Sequence, residues 1–153
     1  MKILYNHQIF LSKYGGASRY FVELANNISL NEDKDATVKI ISPFFKTEYL
    51  SSNNQNFFFS GMKIPDFKGS SKLCSILNTF LSPILSKYYN PNIIHDTYYN
   101  AVKHNTGHIK KIITVYDMIH ELFPDQFSKK DNTTELKKFA VAEADHIICI
   151  SNN

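Results

Sequence analysis

The chain has 153 residues, of which 43% are hydrophobic and 20% charged, with a formal net charge of +3. This length suffices for one domain with a buried core. Its lysines are scattered rather than clustered, which argues against nucleic acid as a partner. With only two cysteines, Cys74 and Cys149, a disulfide framework is not expected, and in "IICIS" the Cys149 thiol is expected to pack as a small apolar group.

The first 61 residues predict three strands and one helix. Residues 2–6 (KILYN) form a short apolar strand, and from residue 17 to residue 28 the apolar side chains follow helical spacing. Residues 36–42 (ATVKIIS) predict a second strand, which Pro43 is expected to close. A third strand is predicted at residues 56–61 (NFFFSG).

The rest of the chain continues the alternation. It predicts a helix at residues 71–88, strands at 92–95 and 111–117, a helix at about 132–142 and a strand at 145–151. Strands rich in Ile and Val that alternate with helices are typical of a mainly parallel sheet covered on both faces. The expected fold is therefore α/β and doubly wound, Rossmann-like, with residues 1–153 forming a single domain.

One apolar segment raises the question of a membrane. No run approaches the ~18 apolar residues of a membrane span, and the N-terminus lacks the apolar core of a signal peptide, so a cytoplasmic protein is expected. Residues 73–86 (LCSILNTFLSPILS) are apolar enough to lie against a membrane surface. Pro83 and the serines suit a packed helix equally well, and packing is the interpretation that we favour.

Polar residues follow the predicted strands. In doubly wound sheets ligands bind outside the carboxyl ends of the strands, so a binding cleft is predicted at this edge. The predicted strands run into polar pairs at their carboxyl ends: Asn6 and His7, His95 and Asp96, Tyr116 and Asp117, and Ser151 and Asn152.

The string "YGGASRYF" places a glycine pair between the first strand and the first helix. Backbone N–H groups at Gly15 and Gly16 can approach an anion there, and Arg19, the one arginine of the chain, can hold two oxygens of a phosphate or carboxylate. The alternative is a simple tight turn with Arg19 paired to Glu23 on a solvated face. The string is not a G-x-G-x-x-G fingerprint.

Four strings, "ILYNHQIFLSKYGGASRYFVELA", "IIHDTYYN", "ITVYDMIHELFPDQF" and "ADHIICISNN", resemble the N-terminal domain of a family 4 glycosyltransferase with the GT-B fold. The resemblance implies retaining transfer of a sugar from a nucleotide sugar to a glycan or lipid-linked acceptor, in surface polysaccharide synthesis, with no metal and no cofactor. The donor would lie between two Rossmann-like domains. The richness in lysine and asparagine is typical of an AT-rich, bacterial genome.

The resemblance also implies roles for particular residues. Gly15 and Gly16 would face the donor diphosphate or the transferred sugar, and Arg19 would support that loop or meet phosphate or acceptor oxygens. The family commonly carries a histidine just before an aspartate at the end of the fifth strand. This sequence has Tyr116 before Asp117, so that role does not transfer.

The chemistry of the residues suggests a replacement. Asp117 is the predicted catalytic residue, because its carboxylate can accept a hydrogen bond from a sugar hydroxyl and orient it. His95 and His120 are predicted to add polar contacts to the acceptor. Tyr98 and Tyr116, and also Tyr99, offer flat faces for sugar C–H groups, although tyrosine is also a common core residue.

The family continues where this chain ends, so the sequence predicts a truncated half without the domain that binds the nucleotide sugar. We expect it to transfer no sugar alone, since an open half-cleft cannot hold reactants in place. One alternative is a binding module that docks onto a separate chain carrying the missing domain. A metal hydrolase, suggested by His95–Asp96 and His120–Glu121, is less favoured because no H-E-x-x-H motif is present.

Overall fold

A computed structural model describes residues 1–31, 35–51, 56–101 and 107–150. Short 3₁₀ helices lie at Gln8–Leu11, Glu48–Ser51 and Pro124–Gln126. The strands and α-helices, in chain order, are β1 (Lys2–Tyr5), α1 (Gly16–Leu30), β2 (Thr37–Phe45), β3 (Phe58–Lys63), α2 (Ser70–Tyr89), β4 (Ile93–Asp96), β5 (Lys110–Val115), α3 (Ile119–Leu122), α4 (Thr133–Ala142) and β6 (His146–Cys149).

The described strands form one six-stranded sheet in the order β3-β2-β1-β4-β5-β6, and every neighbouring pair is parallel. The predicted α/β, Rossmann-like fold is confirmed. The chain builds outward from β1 to β3 and then crosses back to place β4 on the other side of β1. This reversal makes the gap between β1 and β4 the topological switch point, where doubly wound sheets open a crevice at their carboxyl edge.

Alternate side chains of the strands divide the core between the two faces of the sheet. On one face Phe21 of α1 packs with Tyr5 and Ile40. On the other face Leu4, Ile41 and Ile94 form a smaller cluster against the end of α2, and Ile113 packs with Ala140 of α4. The period-two alternation of a strand explains how neighbouring residues such as Leu4 and Tyr5 serve opposite faces.

The predicted end of β2 at Pro43 is wrong, because the strand continues to Phe45. Its pairing with β3 shifts between Ile41 and Phe44, so β2 carries one extra residue there. Proline is tolerated at such a bulge because the ladder is already interrupted. The side chain of Asn78 in α2 replaces the missing strand partner, since its Oδ1 accepts from Phe44 N and its Nδ2 donates to Phe44 O, each at 2.8 Å.

Gly61 lies opposite this bulge and is required by sterics. A Cβ atom at Gly61 would stand 2.0 Å from the carbonyl oxygen of Ser42, which is backbone and cannot turn away. At Gly16, in contrast, a Cβ would meet nothing within 4 Å. The two glycines therefore differ in what the fold demands of them.

Two expectations about apolar packing are corrected. Cys74 is buried, but Cys149 is exposed, because all four residues of the edge strand β6 are exposed. The large apolar side chains of residues 73–86 also point away from the protein interior, with Phe80 70% exposed. No described helix combines the length and apolar character needed to cross a membrane.

We expect Gly61→Ala to lower the free energy of unfolding by about 2 kcal/mol or more, because the bulge must shift to admit a methyl group. Gly16→Ala is the matched control, and its stability should be unchanged or slightly higher, since alanine favours helix. Urea denaturation of both variants measures the difference. Equal stability of the two variants would contradict the steric role of Gly61.

Candidate functional site

Asn6 and Thr97 connect the carboxyl ends of β1 and β4 at the switch point. The Asn6 Nδ2 amide donates to Asp96 Oδ1. Its Oδ1 accepts from the backbone N–H of Thr97 and lies 2.9 Å from the Thr97 hydroxyl as well. The Thr97 hydroxyl oxygen also accepts from Ile9 N at 3.3 Å. One short polar side chain after each strand thus fixes the floor of the crevice.

Asp96 is fully buried, and its charge is balanced by a buried lysine. Lys111 Nζ lies 3.1 Å from Asp96 Oδ2, and the two side chains are 6% and 0% exposed. Two charges removed from water need each other and further hydrogen bonds to be tolerated. Because Asn6 and Lys111 occupy its two oxygens, Asp96 positions Asn6 and does not face the crevice as a free carboxylate.

Tyrosines form one wall of the carboxyl edge. The Tyr116 hydroxyl donates to the carbonyl oxygen of Thr97 at 2.8 Å, and burial raises the pKa of this hydroxyl. Tyr98 stacks over Tyr116 with ring centroids 6.5 Å apart and contacts Tyr99 at 4.9 Å. Tyr99 is buried, whereas Tyr98 is 36% exposed. Of the three, Tyr98 offers the most ring surface to a ligand.

Asp117 is exposed at the end of β5. Its Oδ1 accepts a hydrogen bond from Ile119 N at 3.1 Å, which holds the turn that leads into α3. Its Oδ2 has no hydrogen bond within the described ranges, so one oxygen faces outward with free acceptor capacity. A carboxylate in this position can accept a hydroxyl hydrogen bond from a ligand.

Lys137 of α4 fixes the same turn through two hydrogen bonds. Its Nζ donates to the carbonyl oxygen of Asp117 at 2.8 Å and to Glu121 Oε2 at 2.7 Å. It also lies 5.3 Å from the centre of the Tyr99 ring. The lysine and glutamate side chains are 5% and 20% exposed. A largely buried cation therefore determines where the Asp117 turn lies.

His120 sits beside this turn rather than at the crevice floor. Its ring stacks on Phe127 with centroids 3.8 Å apart, and Nε2 lies 3.8 Å from Asp131 Oδ2. The buried Nδ1 has no hydrogen-bond partner in the part of the chain that the structure describes. His120 lines a cavity of about 500 Å³ between α3 and the start of α4, together with Glu121 and Lys138.

His95 and His7 are buried in the domain. The His95 Nε2 lies 2.8 Å from the Thr114 hydroxyl, and its ring contacts Tyr5 and Phe21 edge-on. His7 Nδ1 lies 3.0 Å from the Ser82 hydroxyl. Burial lowers the pKa of each histidine to about 4, only partly offset by the nearby Asp96 carboxylate. Both rings are therefore neutral near pH 7, and His95, at 3% exposure, does not reach the crevice.

The N-terminus of α1 lies at the same carboxyl edge, because the helix begins soon after β1 and runs back along the sheet. Gly15 is the N-cap, with an extended φ of 174° and no side-chain cap. Arg19 is exposed, and the described residues show no ion pair between it and Glu23. Its neighbour Tyr20 approaches Tyr116, with ring centroids 6.5 Å apart, so this helix end lies close to the tyrosine wall.

A second cavity, of about 760 Å³, opens on the sheet face that carries α2 and α4. Its floor includes Leu4 and Ile94, and Asn6, His7 and Tyr99 line the side nearest the carboxyl edge. The crevice floor at the switch point and this cavity therefore share Asn6. The sheet thus offers ligand-sized space on the α2 side of the switch point.

Most predicted site residues come together at one edge, and His95 does not. Ser151 and Asn152 lie outside the described residues. The sequence reasoning missed Thr97, Lys111 and Lys137. A lysine at residue 137 stands at helical spacing with Ala140 and Val141, an apolar stripe, and that was the available signal for a buried cation.

No group of three or more His, Cys, Asp or Glu side chains among the described residues is arranged to hold a metal ion. The metal-hydrolase alternative therefore gains no support from the placement of its proposed ligands. His95 and Asp96 lie inside the sheet, and His120 and Glu121 are engaged with Phe127 and Lys137.

The fold and the site define a Rossmann-like α/β domain with polar and aromatic side chains gathered at its switch point. No protein-family model matches the sequence, and no curated protein is significantly similar to it. The glycosyltransferase resemblance is therefore carried by the sequence strings alone, and the function is a matter for proposal.

We expect Lys137→Met to lower the free energy of unfolding by about 3 kcal/mol, because it leaves Glu121 and the Asp117 carbonyl without their buried donor. The double variant Lys137→Met, Glu121→Gln should lose less than the sum of the two single losses. Lys138→Met, at the exposed neighbouring position, is the control and should change stability by less than about 0.5 kcal/mol. Additive losses in this cycle would show that the pair does not interact.

The buried histidines predict a particular pH dependence. Their folded pKa of about 4 lies below the unfolded value of roughly 6.5, so between these values the unfolded chain binds protons that the folded chain does not. Stability is then full above about pH 6.5 and falls as the pH drops toward 4, by up to about 1.4 kcal/mol per pH unit for each histidine. The urea midpoint of His95→Gln should fall less over this range than that of the parent. Parallel curves would contradict the assignment.

Proposed function

We propose that this chain is the acceptor-side half of a retaining glycosyltransferase with the GT-B fold, which moves a sugar from a nucleotide sugar to a hydroxyl of a glycan or lipid-linked acceptor. The observation that carries the proposal is at the carboxyl edge of the sheet. There an uncapped helix N-terminus with a free arginine stands on the same edge as an exposed carboxylate and a tyrosine wall.

The helix end supplies the anion-binding part. The first N–H groups of α1 have no partners within the helix, and no side chain caps them. The helix dipole favours negative charge at this end. Arg19 is one turn in, exposed and without a carboxylate partner in the described chain. Since neither the torsion angle of Gly15 nor the space around Gly16 demands glycine, close approach of a phosphate is a reason for both.

Asp117 and Tyr98 supply the hydroxyl-binding part. Asp117 keeps one carboxylate oxygen free while Lys137 and Ile119 fix its backbone and its other oxygen. Tyr98 presents a partly exposed ring on which sugar C–H groups can pack. In transfer, the acceptor oxygen forms a bond to the anomeric carbon as the bond to the donor phosphate breaks, and the hydroxyl proton passes to the departing diphosphate oxygen. Asp117 would hold and orient that hydroxyl.

The other predicted acceptor residues differ in how close they lie to the proposed site. Tyr116 supports Tyr98 and anchors on Thr97, so it positions the wall. His120 is beside the Asp117 turn and can meet a longer acceptor through its own cavity. His95 supports the strands from the core. The nucleotide and the sugar would be selected by a second domain, so this half is expected to bind weakly and to transfer no sugar alone.

A binding module that docks onto a separate chain is the second candidate function. The observation that favours it is the edge strand β6, where Ile147 is 47% and Ile148 37% exposed, followed by Ile150 at 56%. An uncovered apolar strand edge is a place where another chain adds or packs. Such a partner would bring the donor domain to the same carboxyl edge.

The anion site can be tested with inorganic pyrophosphate as the probe for a donor diphosphate. Titration followed by amide NMR should shift the backbone signals of residues 15–19 first, with affinity in the millimolar range. Arg19→Gln should weaken binding by about tenfold, since a charge-assisted hydrogen bond is lost. Gly16→Ala should weaken binding while leaving stability intact.

Lys87→Gln removes the same charge in the last turn of α2, at the amino edge of the sheet, and is the control for a general electrostatic effect. Equal weakening by Lys87→Gln, or shifts spread over the lysines with none at residues 15–19, would contradict the proposed diphosphate site. In the same NMR experiment, a hydroxyl-rich acceptor such as a short glycan should shift the backbone signals of Asp117 and Tyr98. These shifts should be lost in Asp117→Ala.

A further inference from the structure

Helix α2 is amphipathic in the reverse sense to a normal surface helix. The residues that it buries against the sheet are small or polar, whereas its large apolar residues point outward. A surface helix ordinarily turns its apolar stripe toward the core. The buried residues are Ser70, Cys74, Asn78 and Ser82.

Specific hydrogen bonds fix this orientation. Asn78 makes both of its bonds to Phe44 at the β2 bulge, and Ser82 meets His7 at 3.0 Å. Near the N-terminal end, the buried Lys46 Nζ donates to Ser71 Oγ at 2.6 Å. Rotation of the helix to bury its apolar residues would leave these polar groups unsatisfied inside the protein, which is costly.

The opposite side of the helix, which we term the α2 outer face, is a continuous apolar strip. Phe80 is 70% exposed at its centre and Ile84 55% exposed one turn later. Soluble proteins rarely expose contiguous apolar patches beyond a few hundred Å² unless the patch binds something. The face consists of Leu73, Ile76, Leu77, Phe80, Leu81, Ile84, Leu85 and Tyr88.

The charges on α2 indicate the kind of partner. The helix contains Lys72 and Lys87 and no aspartate or glutamate. The two lysines are about 22 Å apart along the axis at the rise of an α-helix, so they bracket the apolar strip. In a symmetric pair of α2 helices, lysines would meet lysines or apolar residues, and the helix would offer no carboxylate to balance them. An anionic surface would satisfy both ends at once.

We propose that the α2 outer face binds the surface of a membrane that contains anionic phospholipids. Helix α2 would lie in the plane of the membrane, with its apolar strip at the boundary of headgroups and acyl chains and its two lysines on lipid phosphates. This surface is separate from the candidate site, because it lies on the flank of the domain and not at the carboxyl edge. The inference does not depend on the proposed function.

Co-sedimentation of the full chain with lipid vesicles tests the proposal. The chain should bind vesicles of phosphatidylcholine mixed with phosphatidylglycerol, and bind much more weakly to phosphatidylcholine alone. Phe80→Ser with Ile84→Ser should reduce binding about tenfold or more, because it removes two large apolar side chains from the inserted strip. Lys72→Gln with Lys87→Gln should reduce it roughly fivefold per lysine and remove most of its salt dependence.

Leu30→Ser is the matched control, since Leu30 is 59% exposed on α1, which packs on the other face of the sheet. Circular dichroism of each variant should match that of the parent, because all substituted side chains are exposed. Absence of binding to anionic vesicles by the parent chain overturns the proposal. A dimer in light scattering that becomes a monomer in Phe80→Ser with Ile84→Ser would also overturn the proposal, because the α2 outer face would then bind a second copy of the chain.

Discussion

The hydrogen bonds among Asn6, Asp96 and Thr97 fix the switch point of the sheet, and the arrangement of the rest of the domain depends on it. They join β1 and β4, the two strands at which the sheet reverses its direction of growth. The buried Asp96 side chain also forms an ion pair with Lys111 of β5, which offsets the cost of removing both groups from water. Strands β1 and β4 are thus joined at their carboxyl ends, and the Lys111 side chain, which starts near the amino end of β5, ties the third strand to them.

A second constraint comes from the bulge in β2. The extra residue at Pro43 requires a partner for Phe44 from outside the sheet, and Asn78 supplies it from α2. Because Asn78 must face the sheet to make these bonds, the large apolar residues on the opposite side of α2 face outward. Because α2 follows β3 and returns to the amino edge near Lys2, a helix lying on a membrane would hold the strands roughly along the membrane surface. The carboxyl edge would then open sideways, within reach of an acceptor anchored in that membrane.

Local sequence patterns were sufficient to predict the main strands and helices and the fold class, but they could not predict contacts between residues far apart in the chain. The strands and long helices follow from period and composition, and their parallel order from the alternation of the two. The continuation of β2 beyond Pro43 depends on Asn78, 34 positions away in the chain, which no local pattern reveals. His95 follows a strand signal like a cleft residue, yet the alternation of side chains turns it into the core against Phe21. The burial of Lys137 was not predicted because a lysine on a helix is ordinarily solvated.

Three glycines show why structure adds to the interpretation of the opening motif. In sequence, Gly15 and Gly16 are consistent with a tight turn, and Gly61 is the last residue of the strand predicted at residues 56–61. The structure separates them, because Gly61 is forced by the Ser42 carbonyl, whereas Gly15 has an extended backbone and Gly16 has open space around it. A tight turn therefore does not explain the pair. Nor does an ion pair with Glu23 explain Arg19 in the described chain. Both observations support the proposal that the helix end, the glycine pair and the arginine bind an anion together.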